Sequence, residues 1–148
     1  MDSMEQAYAR LAYEVKLYKN QLSLIQREVE KITLTSLDIN NALKTVESSV
    51  AGESLIPIGG GSFVKGEVKE ETVLLGIGSG YVIEVERDYA IEKMKKRGEL
   101  IREAVNKLTK EYSKISAKLS ASTKQMKEIE RGILISRRSD QSASEDYI

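Results

Sequence analysis

The chain has no cysteine, no histidine and no tryptophan, and only one proline and one phenylalanine. Without Cys or His there is no zinc finger, no thiol nucleophile, no Ser-His-Asp triad and no disulfide framework. No catalytic residue, no metal ligand and no cofactor is expected, and the chain is not read as an enzyme. A surplus of one charge is lacking too, because 23 Lys and Arg balance 23 Asp and Glu. A general nucleic-acid binder would carry a basic excess. The longest apolar runs are a handful of residues, against the roughly 20 that span a bilayer. No basic-then-apolar leader opens the sequence. The expectation is a cytoplasmic protein with no nucleic-acid and no membrane partner. With 7 Tyr, 1 Phe and 31% charged residues in 148, a thick globular core is not expected; a thin, elongated chain is.

What the chain does have is period. Alternating steps of three and four from Met1 land on Met4, Tyr8, Leu11, Val15, Tyr18, Leu22, Ile25, Val29, Ile32, Ser36, Ile39, Leu43, Val46 and Val50. Only Ser36 is neither apolar nor Tyr, so the row reads as the a/d seam of a coiled coil. No Pro or Gly interrupts it, and Gly52 follows where a C-terminal cap is expected. At 1.5 Å per residue such a helix is about 70 Å long. A second seam starts near Asp88, a plausible N-cap, and runs from Ile91 to Ile133, broken by Gly98 and Ser122. Neither helix can bury its stripe alone. The two are expected to fold back on each other as an antiparallel pair.

Residues 53–87 follow a period of two. Four short runs, Leu55–Ile58, Ser62–Val68, Thr72–Ile77 and Tyr81–Val85, are separated by Gly59-Gly60-Gly61, Lys69-Glu70-Glu71 and Gly78-Ser79-Gly80. These separators sit at hairpin spacing. Two β-hairpins in series are therefore predicted. The fold class is α+β: a long antiparallel coiled-coil helical hairpin with two β-hairpins inserted at its closed end. The divisions are 1–52 for the first helix, 53–87 for the hairpins, 88–135 for the second helix and 136–148 for a polar tail, disordered by composition.

Isolated hairpins are marginal in water and leave strand edges unpaired. The strand from Thr72 is apolar on both faces, with Val73, Leu75 and Ile77 on one and Leu74 on the other. Such a strand needs cover from other chains. The hairpins are expected to close with those of neighbouring subunits into an intersubunit β-barrel. The oligomerisation residues would be Leu55, Ile56, Ile58, Phe63, Val64, Val68, Val73, Leu74, Leu75, Ile77, Val82, Ile83 and Val85. Antiparallel pairing with Val50 opposite Ile91 puts Ile133 near Tyr8, Met126 near Val15 and Gly98 near Leu43. The far end of the helix pair then holds Met1, Met4, Tyr8, Leu11, Met126, Ile129, Ile133, Leu134 and Ile135. Coiled-coil ends fray, and Met-rich apolar surface adapts to many partners. These nine are the candidate client-binding residues. Seam packing explains Met126 and Ile129 as well, whereas Ile133-Leu134-Ile135 is wider than a seam requires.

The run SLIPIGGGSFVKGEV at residues 54–68, followed by VLLGIGSGYVIEV at 73–85 between two heptad helices, resembles the α subunit of archaeal prefoldin, also called GimC. The likeness spans about residues 5 to 133. Its specific part is the pair of hairpins, because the β class resembles this one with a single hairpin. The resemblance implies a hexamer of two α and four β-type subunits. It implies an ATP-independent chaperone that binds non-native polypeptides at coiled-coil tips and delivers them to a group II chaperonin. The segment 88–133 carries 12 Lys and Arg against 7 Asp and Glu. That excess fits docking on an acidic chaperonin surface, but a solvated helix face accounts for it more simply.

Other motifs dissolve on inspection. Gly76-Ile77-Gly78-Ser79-Gly80 lacks dinucleotide spacing and leads into a strand, and Glu67 stands where a phosphate-binding loop after Gly61 and Gly66 needs Lys. Glu70 and Glu71 are adjacent and point apart, so they do not make an acid/base pair. A structural spacer and a filament-forming homo-oligomer of prefoldin-like type remain open alternatives. A helical RNA-binding arm predicts a basic tip, yet Arg137 and Arg138 are offset by Asp140, Glu145 and Asp146.

Overall fold

The computed structural model describes residues 2–48, 51–69 and 71–145. The chain order is α1 (Asp2–Ser48), β1 (Gly52–Gly59), β2 (Ser62–Val68), β3 (Thr72–Gly78), β4 (Tyr81–Glu86) and α2 (Arg87–Glu145). Two long helices with two small antiparallel hairpins between them are what the two periods predict. The described residues fall into two compact units. One takes in the residues up to Lys31 and those from Asn106 on; the other is Ile32–Val105.

In the second unit the ends of α1 and α2 are stitched together. Thr45 and Ser48 donate their hydroxyls to the carbonyls of Asn41 and Lys44, four residues back. The Glu47 carbonyl, one of the last of α1 and without a helical partner, accepts from Arg87 Nη2 at 2.6 Å. A cation at that end also complements the helix dipole. Lys95 Nζ lies 3.7 Å from Glu47 Oε1. α2 begins at Arg87, so Asp88 sits inside the first turn instead of capping it, where its charge still suits the dipole. Gly52 is likewise not a helix cap. It opens β1 with φ of 129°, a conformation that L side chains avoid.

The pairing keeps Ile133 beside Tyr8 and Gly98 in one groove with Leu43, as expected, with Ile39 the nearest neighbour of Gly98. Val50, the anchor of the expected alignment, lies outside the described residues. Gly98 faces Ile39, whose Cγ2 would be 4.0 Å from a Cβ added at Gly98. Leu43, the expected partner, is one turn further along the same shallow groove. The two weak seam positions also coincide. Ser36 and Gly98 line one cavity of about 250 Å³ with Thr33, Asn40, Ile101, Arg102 and Val105.

Both hairpins turn on two residues with positive φ. These are Gly60 and Gly61 (58° and 73°) in the first, and Ser79 and Gly80 (52° and 79°) in the second. That pattern matches the strand twist and selects Gly; Ser79 is the one non-glycine among the described residues to hold it. In the first hairpin Ile56 faces Val64 while Leu55 faces Lys65. In the second, Val73 faces Val85, Leu75 faces Ile83 and Leu74 faces Glu84. The hairpins form separate two-stranded sheets.

In the first unit the helices pair through Leu11 and Ile25, both buried, and through buried Ser122. The tail is the main departure from the sequence reading. α2 continues through Glu145, where a disordered segment from residue 136 was expected. Composition measures how much core a segment can build, not whether a running helix stops. No Pro or Gly follows Gly132, so nothing breaks the backbone ladder. Ser139, Ser142 and Ser144 each donate to a carbonyl three residues back.

Candidate functional site: apolar surfaces for protein binding

The chain buries few of its own large side chains. Among the described residues the buried apolar set is Leu11, Ile25, Leu75 and Ala90. Exposed Leu and Tyr side chains lie along both helices, and two further groups hold the candidate residues.

The first is the hairpin pair. Leu55, Ile56, Ile58, Phe63, Val64, Leu74, Ile77, Val82 and Ile83 are exposed, and Val68, Val73 and Val85 are half-buried. Leu75 breaks this pattern. It was expected to face other subunits, but only 4% of it is exposed. Arg97 of α2 explains its position, because Nη2 donates to the Gly76 carbonyl at 2.6 Å. The Arg87 N–H adds a bond to the Glu71 carbonyl at 3.3 Å. β3 is therefore tied to the first turns of α2, where Ala90 is fully buried. Leu75 faces its own helix, and Leu74, on the opposite face of the strand, is 70% exposed. The first hairpin has no such anchor among its described side-chain contacts, which are internal, such as Lys65 to Glu53 at 3.8 Å. Tyr81 is a further exposed aromatic that the sequence reading passed over. Its place beside the Gly-rich turn was the available signal.

The second is where the start of α1 meets the last third of α2. Tyr8 donates its hydroxyl to Glu130 Oε1 at 2.8 Å. That bond, then the Glu130 charge, then slight desolvation hold the phenol above its ordinary pKa. Tyr8, Glu130, Ile133 and Leu134 line a mostly apolar notch of about 280 Å³. A neighbouring notch of about 230 Å³ shares Ile133 and adds Met4, Ser3, Glu5, Ser136, Arg137 and Asp140. Of the nine candidate residues the structure thus brings Met4, Tyr8, Ile133 and Leu134 together. Ile135 is exposed, Met126 and Ile129 are half-buried in the seam, and Leu11 is buried. Met1 lies outside the described residues. The charged rim of Glu5, Arg137 and Asp140 was missed, because reading 136–148 as unstructured removed it from any surface. Gly132 was missed as well; a Cβ there would stand 3.8 Å from Met4 Sδ, so the helices approach closely at this point.

Among the described residues no cluster of acidic side chains could hold a metal, and no helix is long and apolar enough to cross a membrane. The family model for prefoldin, described as prefoldin subunit, matches residues 3–131. The chain belongs to the prefoldin family. Its relatives include prefoldin subunit alpha of Methanosarcina barkeri, 32% identical over 114 residues that cover 76% of this chain and 74% of that protein. Prefoldin subunit alpha of Methanobrevibacter smithii is 29% identical over 135 residues, 86% of this chain and 92% of the other. Among solved structures, filamentous prefoldin from Methanocaldococcus jannaschii shares the fold with a TM-score of 0.64, at 20% identity over 74% of this chain and 94% of that one. Membership of the prefoldin family, and of its α subunits, agrees with what the two-hairpin pattern implied. A chaperone role comes with it.

Proposed function

We propose that this prefoldin subunit works as part of an ATP-independent holdase. Its hairpins join those of β-type prefoldin subunits in a shared β-barrel, in the proportion two α to four β. The apolar surface around Met4, Tyr8, Ile133, Leu134 and Ile135 holds non-native polypeptides and releases them to a group II chaperonin in the cytoplasm. The observation that carries this reading is the inversion of burial. Large apolar residues lie open on both small sheets and around Met4 and Leu134, and covering each is worth about 1–2 kcal/mol. One notch offers only weak binding. Several on one assembly act together, and effective concentration raises affinity by roughly 10²–10⁴. Release then needs only a competing surface, not a nucleotide.

The test deletes residues 1–9 and 132–148, assembles the truncated chain with a β-type subunit and dilutes denatured substrate into it. Aggregation suppression should be lost while assembly persists. Undiminished protection would leave a spacer role and reject the notches as the binding surface. Native mass of the chain with and without a β-type subunit decides between a mixed hexamer and a filament of this chain alone.

A further inference from the structure

The back of α1 carries a feature that neither the seam nor the hairpins use. Tyr13, Leu17 and Leu24 fall four and seven residues apart, within about 40° of one another around the helix. All three point away from the seam and are 68%, 42% and 62% exposed. Single exposed leucines are ordinary. Three in a row, about 16 Å long on a coiled-coil outer face, are not, because polar residues belong there. Arg10, Lys16 and Arg27 flank the row, exposed and without an ion-pair partner among the described carboxylates. Between residues 9 and 27 this face has no Asp or Glu, Glu14 being turned toward the flank; exposed Glu28 follows on the Arg10 side, so cations outnumber carboxylates along the row.

We infer that this face of α1 docks an acidic amphipathic helix of a partner protein. Three apolar side chains at helical spacing match the stripe of such a helix, and the three cations match carboxylates on its flanks. A second copy of the same face is a poor occupant, since Arg10, Lys16 and Arg27 would meet their own kind. An anionic bilayer is also a poor fit. Asn20 interrupts the row, leaving three side chains to insert. The surface is separate from the Met4–Ile133 notch, so the inference stands whether or not that notch holds clients.

The probe is a fluorescent peptide of about 20 residues, long enough to match the row as a helix. It carries Leu at three- and four-residue steps with Glu on both flanks. The comparison is a scrambled peptide of the same composition, with full-length chain in both cases. The ordered peptide should bind at least about tenfold more tightly, the equivalent of one well-buried side chain. The variant Tyr13→Ser/Leu24→Ser should erase that advantage. Arg10→Glu/Lys16→Glu/Arg27→Glu should shift the preference to a Lys-flanked peptide of the same pattern. Circular dichroism should show intact helices in both, as none of the five positions is in the seam. Removing residues 132–148 should leave peptide binding unchanged. Equal binding of ordered and scrambled peptides overturns the inference. So does stronger binding to phosphatidylserine vesicles than to the peptide, or concentration-dependent self-association abolished by the same substitutions.

Discussion

Leu74→Asp tests whether the exposed face of β3 is the one that other subunits cover. Burying a leucine fully is worth about 1.5–3 kcal/mol. With 70% of Leu74 open to solvent, about 1–2 kcal/mol of that is left for a partner to supply. An aspartate forfeits this and places an unpaired carboxylate under the partner's sheet, a penalty of several kcal/mol even after relaxation. Its cross-strand neighbour is Glu84, so like charges also face each other. A total on the order of 4 kcal/mol lowers the association constant about a thousandfold. Sedimentation velocity over a concentration series, with and without a β-type subunit, should show dissociation, while far-UV circular dichroism stays unchanged. Leu75→Ala is the counterpart. It opens a cavity between β3 and α2 within one chain, at about 2–5 kcal/mol, and should appear as faster amide exchange at Arg87 before any loss of assembly. An assembly of Leu74→Asp that survives dilution like the unaltered one would refute the assignment of that face.

Gly98→Ala should stabilise the helix pair by about 0.8–1 kcal/mol, read as a rise in the helical melting temperature. The new methyl group meets nothing closer than Ile39 Cγ2 at 4.0 Å, and it enters a seam that is underfilled opposite Ser36. A fall in melting temperature would mean that the helices need to close further at that point. The Tyr8 phenol should titrate above free tyrosine in an absorbance titration, because ionising it sets a phenolate against Glu130. A raised pKa in the folded state means the contact supports the fold throughout the range below the ordinary tyrosine pKa of about 10. That support disappears as pH climbs through the raised value. Tyr8→Phe should remove this alkaline limb from the stability profile, and an unchanged profile would mean the hydrogen bond has no thermodynamic weight.

The elements and their order were legible from residue spacing. A 3.5-residue period without Pro or Gly specifies a long helix, and apolar runs cut by Gly-Gly-Gly and Gly-Ser-Gly specify hairpins with left-handed turns. Those rules act over a few residues, so a sequence states them directly. Family membership was legible for the same reason, since it rests on the hairpin segments. Register, end points and facing were not. Gly98 shares a groove with Leu43, as read, but meets Ile39 first, because a heptad row fixes which positions pair only to within about a turn. The helix runs to Glu145 because polar composition limits core formation without ending a backbone ladder. Leu74 and Leu75 look alike in sequence, yet Arg97, twenty-one residues on, holds Gly76 and turns one leucine inward and the other out. Pattern thus determined which residues are apolar on which element. Only the packing of separate elements, a long-range matter of side chains meeting across the fold, decided which of those residues the chain keeps covered and which it leaves open.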